Sequence, residues 1–166
     1  MFSIGDTILY TTSGICRVDS LIEKEFNGSL VSYYVLKPLF DSKTTLTVPV
    51  DNPITNTKLH QLLSKDDILA LLQEYPSIEP YWIENENERK KHFSNILRTG
   101  NRKDTITMLK SIKNHQIGLK DRGRKLHACD EQTLKDATKL IADEFSIVLN
   151  MEKSYIVEML NEPIKQ

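Results

Sequence analysis

Along the first third of the chain, apolar and polar residues alternate in short steps. Along the remainder, apolar residues return every three or four positions. Ile8-Leu9-Tyr10 is a short apolar run after Gly5-Asp6, and Thr12-Ser13-Gly14 signals a turn. The stretch ICRVDSLI (15–22) reads as a strand with Cys16, Val18 and Ser20 on one face and Arg17 and Asp19 on the other. Asn27-Gly28 predicts a hairpin, because both residues tolerate positive φ. LVSYYVL (30–36) is rich in β-branched and aromatic residues, and a turn follows at 40–43. TTLTVPV (44–50) closes the set; Pro49 has no ladder donor, so this strand is an edge or ends there. Four or five short strands joined by tight turns predict a small, strongly bent sheet or SH3-like barrel.

The stretch 51–60 reads as irregular. Ser64-Lys65-Asp66-Asp67 opens a helix with a capping-box pattern, Ile68, Leu69, Leu71 and Leu72 give it an apolar face, and it stops by Tyr75-Pro76. Two prolines in PSIEP (76–80) block a helix and stiffen an extended path, so 76–83, with Trp82, reads as a linker. Helical periodicity runs from there on. One helix covers about 84–99 and ends at Gly100. A second starts at Asn101 or Asp104, with Ile106, Leu109 and Ile112 as its stripe, and runs to about Gly118. KDRGRK (120–125) reads as a basic loop. Asp130 caps a third helix carrying Leu134, Ala137, Ile141, Phe145, Val148 and Leu149, and a last short one spans about 152–161, stopping before Pro163. The organisation expected is α+β: a β-domain with a terminal helix over 1–75, a linker over 76–83 and an all-α domain over 84–166.

Charge adds a segregation that the net value of −1 conceals. Residues 1–75 carry 6 basic and 9 acidic side chains, residues 76–128 carry 12 and 6, and residues 129–166 carry 4 and 8. A basic middle between acidic flanks suits a polyanion; equally, it suits a helix whose bases pair with the acidic C-terminal helix. No apolar run is long enough for a membrane span and the N-terminus lacks a signal-peptide pattern, so a cytoplasmic chain with Cys16 and Cys129 as reduced thiols is expected.

Catalysis finds no foothold in the residues. The four histidines, His60, His92, His115 and His127, do not fall at metal-ligand spacing, and His127-Ala128-Cys129 supplies only two ligand types, so neither metal nor cofactor is expected. Phosphate-loop, dinucleotide, nucleophile-elbow and zincin motifs are missing. The adjacent carboxylates Asp66-Asp67 and Asp143-Glu144 point about 100° apart on a helix and do not converge on one substrate atom. A non-enzymatic protein without a small-molecule substrate is expected.

A wheel of the 84–99 helix puts Phe93, Ile96 and Leu97 on the buried face and Lys91 and Arg98 opposite it, suited to phosphates; Lys90 lies at the margin. Arg89 falls on the apolar side, which suits an ion pair with the C-terminal helix better than a DNA contact. Arg102, Lys103, Lys110, Lys113, Arg122, Arg124 and Lys125 extend the positive surface. Trp82, the sole Trp, fits two roles: a packing residue over the linker, or an exposed wedge or stacking platform at a nucleic acid.

Taken together, Phe2-x-Ile4-Gly5-Asp6-x-Ile8-x-Tyr10-x-x-x-Gly14-x-x-x-Val18, Asn27-Gly28, Tyr33-Tyr34-Val35-Leu36, Leu46-Thr47-Val48-Pro49-Val50 and Asn52 resemble the CarD-like (CdnL) family. Trp82, Arg98-Thr99-Gly100, Asp130 and the helix over 137–149 carry the resemblance into the C-terminal part. It implies a Tudor-like domain that binds the β subunit of bacterial RNA polymerase and a helical domain that contacts promoter DNA at the upstream edge of the transcription bubble, where the Trp acts as a wedge and open-complex stability changes. Carried onto this chain, it places polymerase binding at Lys24, Leu46, Thr47 and Val48, and DNA binding at Trp82, Lys90, Lys91 and Arg98. The interval from Trp82 to Gly100 is about four residues longer than in the family, roughly one helical turn. Whether residues 83–85 join the helix therefore decides where the indole points. A protein–protein adaptor using the Tudor-like domain without DNA is the other function class the residues allow.

Overall fold

A computed structural model describes residues 1–161; Pro163 lies outside them. The chain divides into two compact units, Met1–Leu62 and Leu63–Gln166.

The first unit is an antiparallel five-stranded sheet followed in the chain by the helical unit, consistent with a Tudor-like domain plus a helical domain. Its strands are β1 (Thr7–Tyr10), β2 (Gly14–Phe26), β3 (Ser29–Pro38), β4 (Leu46–Pro49) and β5 (Leu59–Gln61), in the order β4-β3-β2-β1-β5. Asn27 and Gly28 form the β2–β3 turn with φ of 51° and 76°, as the Asn-Gly signal requires. Ile8, Cys16, Val18, Tyr34, Leu36, Val48, Val50 and Leu59 form the core, with Phe2 packed edge-on against Tyr34. Burial pushes the Cys16 thiol up to about 11, so it behaves as an inert core side chain.

Two expectations for this unit fail for reasons of register. Cys16 and Val18 do share the inner face, but Ser20 does not join them. Val18 pairs with Leu36 and Ser20 with Val35, leaving Asp19 as the extra residue of a bulge. One unpaired residue reverses the alternation, so Ser20 turns to the outer face. The stretch 51–60 is also not wholly irregular. Asn52 caps a one-turn helix, α1 (Pro53–Asn56), accepting from the Ile54 and Thr55 amides, and β5 follows and pairs with β1.

The second unit contains α2 (Lys65–Glu74), α3 (Glu86–Thr99), α4 (Arg102–Asp121), α5 (Ala128–Leu149) and α6 (Lys153–Asn161). Ser64 caps α2: its Oγ accepts from the Asp67 amide at 3.1 Å and donates to the Asp67 carboxylate at 2.7 Å. Asn85 and Asn101 cap α3 and α4 by accepting from the Glu88 and Asp104 amides, and Gly100, at φ 69°, ends α3. Asp130 is not the cap of α5; that position belongs to His127, and Asp130 is buried inside the first turn. The unit's core is formed by Ile68, Phe93, Ile96, Ile106, Met108, Leu109, Ile112, Ala137, Ile141, Phe145, Ile156 and Leu160.

The domain boundary differs from the one expected at 75. Helix α2 lies in the helical unit. The Leu63 amide donates to Glu144 at 2.9 Å, and the Tyr75 hydroxyl donates to the Leu160 carbonyl at 2.8 Å. Nor is 76–83 a linker between units. Lys110 donates to the carbonyls of Tyr75 and Pro76 at 2.8 and 2.9 Å, and the Tyr81 amide donates to Ser111 Oγ at 3.0 Å. Pro76 sits in a single 3-10 turn, Tyr75–Ser77, that ends α2, and the extended chain that follows from Ile78 is tied down along α4. Among the described residues, no helix is long and apolar enough to cross a membrane.

Candidate polymerase and nucleic-acid interfaces

In the first unit, the candidate surface is the outer face and open edge of β4. Leu46 and Val48 pair with Leu36 and Tyr34 and share their inward face; Val48 is buried. Thr47 pairs with Val35 and points outward, with its side chain exposed. Lys24 pairs with Val31, two residues before Tyr33 on the same face as Val35, so it too points outward. Its Nζ lies 6.0 Å from the Tyr33 ring. Lys24 and Thr47 therefore share a face, whereas the Leu46 and Val48 side chains face the sheet's core.

The ladder fixes what that backbone offers. The Val50 amide donates to Ser32 O at 2.9 Å, so in antiparallel alternation residues 50, 48 and 46 turn their polar groups towards β3. Thr47 and Pro49 turn theirs the other way. The open edge thus presents the Thr47 N–H and C=O and the Pro49 C=O. Pro49 sits where its missing N–H leaves the ladder intact, which is why an edge strand accepts it.

In the second unit, the candidate surface is α3 with the segment before it. Residues 83–85 are not helical and Asn85 is the cap, so the longer interval to Gly100 leaves Trp82 in extended chain. The indole is half-buried. His115 stacks on it with ring centroids 3.7 Å apart and planes 8° from parallel, and Arg89 Cζ lies 4.5 Å from its centroid. Phe93 meets it edge-on at 6.2 Å. Arg89 is buried and ion-paired, as the wheel indicated, but with α5 and not with the last helix: Nε and Nη2 bind Asp130 at 3.0 and 2.8 Å. Its Nη1 donates to the carbonyls of Ile83 at 2.8 Å and Glu84 at 3.2 Å.

Lys90, Lys91 and Arg98 come together with Ser94 and Asn95 along a shallow exposed depression on α3. Lys90 is paired with Glu86 at 3.1 Å, and hydrogen bonding from Lys90 holds the Glu86 carboxyl below its usual range. Arg98 donates to Asn95 at 2.7 Å. Trp82, however, packs on the Arg89–Phe93 side. Lys91 and Arg98 lie roughly half a turn away around α3, a helix diameter or ~10 Å from it.

The remaining bases divide sharply. Arg102 is buried and bidentate to Glu144 at 2.9 and 3.0 Å. Lys110 is buried against the Tyr75 and Pro76 carbonyls, and Lys113 binds the Leu160 carbonyl and Asn161 at the end of α6. Burial pushes the Lys113 amine down to about 8. These three are structural and do not extend a positive surface. Lys120, Arg122, Arg124 and Lys125 are exposed, and Arg122 is near enough to His115 to lower its pKa. His115 is the residue that sequence reasoning missed. Its one signal is its place three residues after Ile112, continuing the stripe of α4.

Among the described residues, no cluster of His, Cys, Asp or Glu could hold a metal ion. No curated protein matches the chain. Residues 2–56 match the CarD-like/TRCF RID domain, an RNA polymerase-interacting domain. The match covers β1 to β4 with Thr47 and Lys24, supports an RNA polymerase-binding, transcription-associated role, and leaves the helical unit outside it. Residues 2–56 of the first unit are therefore similar to the CarD-like/TRCF RID domain, in keeping with the resemblance that the sequence motifs carry.

Proposed function

We propose that this protein is a transcription regulator that docks on the β subunit of bacterial RNA polymerase through β4 and contacts promoter DNA at the upstream bubble edge through its helical unit. The observation that carries the reading is the match of residues 2–56 to the polymerase-interacting domain. The open β4 edge supports it, because strand addition draws affinity from backbone groups and asks little of side-chain identity. Lys24 and Thr47 flank that edge on one face; Leu46 and Val48 hold it in register. On the DNA side, Trp82 is the wedge at the minor groove, and Lys90, Lys91 and Arg98 follow phosphates along the outer face of α3. The protein then alters open-complex lifetime only by its difference in affinity for melted and closed promoter.

Thr47→Pro tests the polymerase half. It removes an outward N–H and no bond to β3, so the domain keeps its fold while polymerase binding weakens about fivefold, the equivalent of one hydrogen bond of ~1 kcal/mol. Unchanged co-purification with polymerase would remove edge addition from the reading. For the DNA half, open-complex lifetimes are compared for Trp82→Ala and for Lys91→Glu/Arg98→Glu. Lifetimes unchanged in both would favour an adaptor that works without DNA.

A further inference from the structure

Trp82 has no free π face. An imidazole stacked at 3.7 Å fills the side of the indole it covers, so a guanidinium 4.5 Å from the same centroid must take the other side. Arg89 cannot easily swing away. Asp130 grips it bidentately in a buried site, and the same guanidinium binds the carbonyls of Ile83 and Glu84, the two residues that follow Trp82. The group that covers the ring therefore also fixes the backbone leading from it. What solvent reaches is the rim of the indole.

We propose that His115 and Arg89 are positioning residues that hold Trp82 as a rigid blade, which meets DNA by its rim and does not stack between bases. The inference rests on the reading of the helical unit as DNA-contacting and deepens it. Side chains that stack on or between bases use an open ring face. A rim can only press against a groove wall or an opened step, so the blade reads groove width and not the stacking strength of a particular base. Four charged groups face His115: Glu84 before α3, Arg89 on α3, Arg122 at the end of α4 and Asp130 on α5. Burial lowers the His115 pKa below its ordinary 6.5, and Arg89 and Arg122 push the same way against Glu84 and Asp130. The stack is therefore built on a neutral imidazole, and acid loosens it by placing a third cation beside two guanidinium groups.

Because Trp82 is the sole tryptophan, its emission reports on the clamp in the full-length protein without DNA. His115→Ala is expected to shift that emission to the red and to raise its quenching by acrylamide, whereas His115→Phe, which keeps a flat ring, is expected to match wild type in both. On lowering pH, wild-type emission should change with a midpoint below 6.5, and His115→Phe should be flat over the same range. In open-complex lifetime assays with polymerase, His115→Ala should reproduce most of the loss seen in Trp82→Ala, and His115→Phe should restore it. Emission unaltered in His115→Ala, or an acid transition that persists in His115→Phe, overturns the clamp. Altered emission with a wild-type lifetime in His115→Ala, where Trp82→Ala is impaired, overturns the positioning role. If Trp82→Ala itself leaves the lifetime unchanged, the DNA reading fails, and emission alone still decides the clamp.

Discussion

The two units bury different kinds of side chain. Every large buried side chain in the sheet unit is apolar or aromatic, from Ile8 to Leu59. The helical unit buries Arg89, Arg102, Lys110, Asp130, Asp143 and Glu144 among its hydrophobics. The sheet satisfies its backbone within its own ladder and needs only shape and apolar area inside. The helices leave ends, caps and crossings that charged side chains close: Arg102 and Glu144 with the Leu63 amide, Lys110 with the carbonyls of Tyr75 and Pro76, Arg89 with the chain after Trp82. Much of the positive excess over 76–128 therefore works inside the molecule, and the surface is less basic than the sequence suggests. What remains outside is Lys90, Lys91 and Arg98 on α3, Lys103 in the first turn of α4, and the 120–125 bases, of which Arg122 lies near His115.

This contrast can be broken most directly at Glu144. Replacing it with Leu strands a buried Arg102 and removes the acceptor of the Leu63 amide, so the helical unit should lose about 3–5 kcal/mol in urea titrations. The double variant Arg102→Met/Glu144→Leu should recover part of that, but not the share due to the unsatisfied amide. Full recovery would mean that the pair does nothing that packing could not. In the sheet, Leu36→Ala offers the apolar counterpart: a cavity cost of about 2–5 kcal/mol that no second charge change relieves. A smaller effect is expected at Asn85→Ala, which removes the α3 cap and should cost about 1 kcal/mol. If the cap also sets the angle of the segment before it, Trp82 emission will move with stability.

The smallest effect concerns pH. His115 has a folded pKa below its unfolded value, so the unfolded chain binds more protons near and below 6.5. Its contribution to stability is complete above that value and declines as pH falls through it. Hydrogen exchange at pH 7 and pH 5.5 should show weakened protection around α3 and α4 and none in β1–β4. Equal loss in both units would assign the effect elsewhere.

Sequence pattern identified the strands, the Asn-Gly hairpin, the Gly100 cap and the inward Arg89 because each depends on neighbours within a few residues. The misses are long-range. The bulge at Asp19 exists only relative to β3, and β5 is recognisable only once β1 is in place to pair with it. Arg102, Lys110 and Lys113 look like surface bases until the carbonyls and carboxylate that receive them are known, 34 to 48 residues away. The Trp82–His115 stack joins two helical-unit segments whose spacing carries no motif.

Pro49 has a consequence beyond closing a strand. An exposed sheet edge invites pairing with another copy of itself, and natural edges carry features that discourage this. Two copies of β4 laid antiparallel about Thr47 would each set a carbonyl against a proline nitrogen that bears no hydrogen. The same residue leaves Thr47's own donor and acceptor intact for a different strand. Pro49 thus biases the edge against self-association while keeping it open to a foreign chain, which makes it a gatekeeper of partner choice.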